Sequence, residues 1–385
     1  MGNMNLKKKG IVEIVFILYV ITSYMGLLYL DVYNPIVLMG VVSLVFFSIY
    51  LVIKKNQPIN RFMFIVAVYH LIPCLFMDNL SDIFYMVSYI TLIISISLFI
   101  SYMKERSMVA ICKIVMFISI FNFLYMLSQP FTITKTKVIL GLSISIRMSE
   151  NVVFSRSAIV ALIGFILFYK LKPINLKGRI LKIAGILINI FTIVFLGKLS
   201  TLLTLFMVIV LGELIKLIKS RRLYKLIAMG ITGVTFSLSF LMPSIINLCI
   251  KYNINYKMIF SGREELWIKY INYFKEAPIM NKLFGGIYVR TMNEVGGEII
   301  KHPHNQYLTI LVSVGIIGLV LYMILFYKAY YNTLLAKDIQ GFMILLSINL
   351  IGITDDYIFL TVIIIDSFYF IYYCIIKNRK YVCND

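Results

Sequence analysis

Runs of about 20 apolar residues recur along this chain, and that is the length an α-helix needs to cross the hydrocarbon core of a bilayer. They lie near 11–30, 35–53, 62–77, 83–102, 108–127, 154–170, 180–196, 199–218, 223–242, 305–327, 340–354 and 357–376. A backbone in lipid must satisfy its own hydrogen bonds, which leaves only helices or a closed barrel. Barrel strands would read as alternating segments of about ten residues, whereas these blocks are uniformly apolar. The sequence therefore predicts an all-α, polytopic integral membrane protein with about 12 transmembrane helices, read as a single membrane domain over residues 1–385. A composition of 61% hydrophobic and 14% charged residues agrees.

The first run, Ile11 to Leu30, follows "LKKK" but is too long for a signal-peptide core and lacks a small-residue cleavage site, so it is expected to be a retained first span. Five cysteines lie mostly inside apolar runs without CxxC spacing, which indicates neither a metal site nor a disulfide framework.

The net charge of +20 raises the question of a nucleic-acid partner, and the placement of the charges answers it. With the N-terminus inside, the cytoplasmic segments read "LKKK", "KKNQPINR", "KER", "KLKPINLKGR", "KLIKSRRLYK", "KAYYNTLLAKD" and "KNRK", each net basic. The short outer turns "DVYN", "DNLSD", "GKLS" and "TDD" carry one lysine among them. This is the positive-inside pattern, and it predicts both termini in the cytoplasm. Basic residues scattered over separate loops form no single face, so no nucleic-acid partner is expected.

Two outer loops are long. Residues 128–153 contain "QPFTITKTKVILGLSISIRMSEN", whose alternation predicts a short hairpin lying on the membrane surface. Residues 243–304 form a second loop, of a length that is usually functional or disordered. The only Trp and the helical patterning in it argue against disorder. In "SGREELWIKYINYFKEAP", Leu266, Trp267, Tyr270, Ile271 and Phe274 make one apolar stripe, expected to rest on the bilayer interface. Ser261 and Glu264 have capping-box spacing and Pro278 marks the end.

Arg263 is the odd residue, because a cation in a first helical turn opposes the dipole. Free N–H groups plus a guanidinium suit a phosphate or diphosphate, and the alternative is a local pair with Glu264 or another carboxylate. His304 stands at the mouth of the tenth span in "HPHNQYL", where His304 or Asn305 can cap the helix. A histidine near a helix N-terminus tends to be neutral and able to accept a proton; the alternative is an interfacial capping residue. His302 and His304 spell H-x-H, but no further Cys/His cluster adjoins them, so no metal is expected.

About twelve spans, a long outer loop with "SGR…W", then "PIMNKLFGG" and "HPHNQYLTILVSVGIIGL", together resemble the O-antigen polymerase and O-antigen ligase superfamily of bacterial surface-polysaccharide assembly. The resemblance implies a metal-independent, cofactor-free glycosyltransferase in the bacterial inner membrane, with its active site on the outer face. Its donor and acceptor would be undecaprenyl-diphosphate-linked oligosaccharides, within membrane lipid, and a chain-length-regulating membrane protein would be a candidate partner. Residue by residue, Arg263 matches the family's loop arginine, held to grip the diphosphate, and His304 its essential histidine. The family's basic residue in a "T-x-S-R"-like turn is here Lys198, in "FLGKLSTLL". Lysine cannot grip bidentately, so Arg147, Arg156 and Arg290 are candidates to supply that role, with Asn305 and His302 as further substrate contacts.

The expected reaction is polymerisation of repeat units, in which the growing glycan passes from one undecaprenyl diphosphate to the terminal sugar of another. A ligase passing finished polymer to a lipid A core or another acceptor is the nearest alternative. A transporter or flippase is the alternative of a different class, raised by the intramembrane residues His70 and Asp366. Asp355 and Asp356, in the last outer turn, are either acceptor contacts or a solvated turn.

Overall fold

The computed structural model describes residues 61–77, 80–102, 105–128, 133–139, 142–148, 154–173, 175–196, 199–253, 263–286, 292–295, 298–301 and 303–354, with scattered positions between 14 and 53. The expected spans near 11–30 and 357–376, and most of the one near 35–53, lie outside the described residues.

The described chain is helical apart from two small hairpins. Its elements are α1 (Arg61–Tyr69), a 3-10 turn (Pro73–Phe76), α2 (Leu80–Tyr102), α3 (Glu105–Ser128), β1 (Ile133–Ile139), β2 (Leu142–Met148), α4 (Phe154–Lys170), α5 (Leu176–Leu196), α6 (Leu199–Leu214) continued by a 3-10 turn (Ile215–Leu217), α7 (Arg221–Lys251), α8 (Glu264–Glu276), α9 (Ile279–Phe284), β3 (Met292–Val295), β4 (Glu298–Lys301), α10 (Gln306–Leu335) and α11 (Ile339–Ile351). Among the described residues, Ile111–Ser128, Leu176–Leu196, Ser200–Leu217 and Gln306–Leu335 are long and apolar enough to cross a membrane. Shorter apolar helical stretches include Phe64–Phe76, Ser157–Lys170 and Ile339–Ile351. The chain is thus an all-α polytopic membrane protein.

Two expectations about the outer loops meet the structure directly. The alternation in the first loop produces the hairpin: β1 and β2 pair antiparallel, with Ile133 opposite Met148 and Ile139 opposite Leu142. In the second, α7 runs through Pro243 to Lys251, so residues 243–251 continue the helix instead of beginning the loop.

The chain divides into two compact units. The first includes residues 102–217 and 339–351. Its central element is α4, which is apolar all round because it packs against α3, α5, α6 and α11. Ala158, Ala161, Leu162 and Ile166 are fully buried there. Small residues let the helices close: a Cβ on Gly164 would lie 2.3 Å from Ser119 Oγ, and one on Gly185 would meet the Phe168 ring. Asn189 donates its Nδ2 to Ser119 Oγ at 3.2 Å and to the Gly185 carbonyl at 2.8 Å, while Asn122 donates to the Ser157 carbonyl at 3.1 Å. The bonds to Ser119 and to Ser157 join different helices, and such interhelical bonds contribute about 0.6 kcal/mol each in membrane bundles.

The second unit includes residues 48–101, 218–338 and 352–385 and carries the large outer loop. Its axis is α10, packed against α1, α7, α8 and α9. That helix is broken at Gly315, whose φ of 68° and ψ of −173° no helix accommodates. The break faces α9: a Cβ on Gly315 would lie 2.3 Å from the Leu283 carbonyl oxygen, and one on Gly285 would lie 2.2 Å from that of Ser313. Only residues without Cβ permit two backbones to meet so closely, and both glycines have positive φ. Irregular backbone at membrane depth needs replacement hydrogen bonds. Tyr69 supplies one, donating its hydroxyl to the Val314 carbonyl at 2.8 Å.

His70 lies in the same unit and is fully buried. Its Nδ1 is 2.6 Å from the Val66 carbonyl oxygen, a pure acceptor, so Nδ1 carries the proton. Nε2 therefore accepts from the Tyr322 hydroxyl at 3.0 Å, and Tyr322 in turn accepts from Tyr89. The intramembrane histidine is a satisfied member of a network joining α1, α2 and α10. Asp366 lies outside the described residues.

Candidate active site

The loop helix α8 forms where the 3.6-residue stripe predicts it, and ends at Ala277 before Pro278. Its partner differs from the expected one. Trp267 and Tyr270 are wholly buried and Ile271 nearly so, because the stripe packs on α7 and α10 within the protein and not on the bilayer interface. A stripe of this kind records that a face is apolar without specifying what covers it. The helix begins at Glu264 with Arg263 at the N-cap position, making no side-chain cap bond; Ser261 lies outside the described residues. Glu264 and Glu265 in the first turn and Lys275 in the last complement the dipole.

Arg263 is half-buried, and its guanidinium donates to the Thr354 carbonyl. A carbonyl oxygen of another segment thus offsets the poor placement of a cation at a helix N-terminus. Next to it, Glu264 is only 2% exposed, and its Oε2 has no hydrogen-bond partner among the described residues.

Two bonds hold the segment that carries His304. On one side the Trp267 indole donates to the Pro303 carbonyl at 2.7 Å. On the other, Asn305 caps α10, its Oδ1 accepting from the Tyr307 and Leu308 amides at 3.0 and 3.1 Å. Of the two residues able to cap, Asn305 does so. His304 itself is half-buried, on a backbone in the left-handed region at φ 51°. For a non-glycine residue that conformation is strained, and strain of this kind collects at functional sites.

Arg263 and the His304 segment converge on one three-residue turn. The Gly352 carbonyl accepts from the Gln306 amide at 2.9 Å, the Ile353 carbonyl from Asn305 Nδ2 at 3.0 Å, and the Thr354 carbonyl from Arg263. Residues separated by 48 and 91 positions are brought together in this way. A guanidinium can hold an anion, and an imidazole can take up a proton.

The remaining candidates are distributed otherwise. Arg147 stands in β2 opposite Thr134, and Arg156 in the first turn of α4, both in the first unit. Lys198, Arg290, His302, Asp355 and Asp356 lie outside the described residues. Sequence reasoning missed the turn at Gly352–Thr354, the burial of Glu264 and the tie between Trp267 and Pro303. Gly352 after an apolar helix was the available signal for the turn, but no local pattern names its distant partners.

Residues 152–323 match the model of the O-antigen ligase family, so this part of the chain is similar to that family. Arg263, His304 and Asn305 all fall within the match. The chain matches no curated protein.

Proposed function

We propose that the protein polymerises surface-polysaccharide repeat units (O-antigen or capsule) at the outer face of the bacterial inner membrane, without metal or cofactor. A terminal hydroxyl of one undecaprenyl-diphosphate-linked repeat unit attacks the anomeric carbon of the growing glycan on another. The bond from that carbon to the diphosphate oxygen breaks, and the diphosphate leaves with the electron pair. Arg263 binds the leaving diphosphate, and Arg290, from the same unit, is the further cation proposed to serve it. His304 receives the hydroxyl proton, and His302 is proposed as a further acceptor contact, whereas Asn305, fully buried with its side chain bonded to two α10 amides and the Ile353 carbonyl, holds the segment in place and does not meet the acceptor. The observation that carries the reading is the convergence of Arg263 and the His304 segment, both inside the stretch that matches the family, on the Gly352–Thr354 turn that lies beyond it.

Removing one group that stabilises developing charge commonly lowers a rate by about 100-fold or more. In a deletion strain, Arg263→Ala and His304→Ala proteins are therefore expected to reach the membrane yet yield no long polysaccharide on gels. Full-length polymer from either variant refutes the assignment. The description of the matched family favours a second reading, transfer of finished polymer to a lipid A core or other acceptor. The deletion strain separates the two: single repeat units on the final acceptor mean polymerase, and accumulated long lipid-linked polymer means ligase.

A further inference from the structure

Gln306 is fully buried, and neither of its amide atoms has a hydrogen-bond partner of proper geometry among the described residues. Its carboxamide lies against Gly352: a Cβ built there would fall 1.9 Å from Gln306 Cδ and Nε2 and 2.4 Å from Oε1. The backbones are joined as well, since the Gln306 amide donates to the Gly352 carbonyl. Gln306 thus touches the turn that holds Arg263 through Thr354 and Asn305 through Ile353, and it follows His304 by two residues.

A fully buried carboxamide pressed against a glycine limits how closely the two segments approach, and so fixes their spacing. We infer that Gln306 and Gly352 form a steric latch that sets the position of the Gly352–Thr354 turn, and through it the spacing of Arg263 from His304. Both are positioning residues, since neither needs to touch substrate. The turn is held at three carbonyls by groups from two distant segments, so displacing its first residue shifts the anchors of both site residues together. Backbone meeting side chain at Gly352 leaves room for no substituent unless the carboxamide moves, and its enclosure leaves it nowhere free to go.

This inference rests on the proposed sugar transfer for its kinetic readout, and on hydrogen exchange for one that does not depend on activity. The experiment uses full-length protein in lipid nanodiscs, with lipid-linked repeat units extracted from the deletion strain as substrate. Four proteins are compared: wild type, Gly352→Ala, Gln306→Ala and the double variant. In Gly352→Ala, kcat is expected to fall at least tenfold with KM within about threefold, and exchange of the Gln306 amide to speed up at least tenfold. Placed in the Gln306→Ala background, the same substitution is expected to change kcat and exchange by less than threefold, because the clash has gone. Equal losses in the two backgrounds overturn the latch, as does unchanged exchange in Gly352→Ala. If Gly352→Ala does not insert, Gln306→Ala alone decides: faster exchange at residue 306 supports the latch and unchanged exchange overturns it. Exchange that follows the cycle in a protein showing no sugar transfer leaves the latch standing and removes the proposed function instead.

Discussion

At the residue scale, the conformation of His304 separates chemistry from folding. Its left-handed backbone costs about 1–2 kcal/mol, which a glycine would not incur. His304→Gly and His304→Ala should therefore be equally inactive, with the glycine variant more stable by about 1 kcal/mol in detergent melts. Greater stability of the alanine variant would mean that the strain is not intrinsic to the backbone. Asn305 has the opposite balance, because its side chain serves two α10 amides and the Ile353 carbonyl. Asn305→Ala is expected to cost about 2 kcal/mol, the upper end for a lost cap. It should also lower activity, since the same side chain ties the His304 segment to the turn. That activity loss should exceed any loss in membrane level on immunoblots.

At the element scale, the broken α10 is the feature most exposed to substitution. Gly315→Ala and Gly285→Ala each drive a methyl into backbone, which cannot rotate aside as a side chain can. Each should cost about 3 kcal/mol, combining overpacking with a disfavoured φ, and the loss will show as a lowered melting midpoint. Tyr69→Phe removes the donor to Val314 and should cost about 1 kcal/mol. If Gly315→Ala melts like the wild type, the break and its docking with α9 are wrong. The hydrophobic stripe on α8 was legible from its spacing, whereas the break was not. "GIIGL" reads in sequence as close helix packing, and only the approach of Leu283 shows that Gly315 interrupts the helix.

For the whole molecule, the choice between catalysis and transport turns on energy supply. A glycosyltransferase draws on cleavage of the sugar–diphosphate bond, so sugar transfer should persist in detergent, with no gradient and with EDTA present. Dependence on a gradient would return the transporter reading. The network of His70 with Tyr322 and Tyr89 agrees with the enzymatic reading, because its hydrogen bonds are met inside the bundle and mark no open path. Tyr322→Phe should accordingly lower stability by about 1 kcal/mol and leave transfer within about twofold. The positive-inside pattern predicts that Arg263 and His304 face outward; single cysteines at Glu265 and Lys269, both exposed, should then react with membrane-impermeant maleimide in intact spheroplasts.

Length and apolarity of the spans, together with the one-sided distribution of Lys and Arg, determined the class and the expected topology. Those properties follow from the bilayer, which acts on each span separately, so they can be read from local sequence. Arg263 and His304 could also be picked out there, as a cation and an imidazole placed against ordinary helix chemistry. Their common support could not, because the Gly352–Thr354 turn joins them through backbone carbonyls, which every residue possesses and no sequence distinguishes. The burial of the α8 stripe within the protein and the break at Gly315 likewise depend on which distant surface arrives, and that is decided by tertiary packing alone.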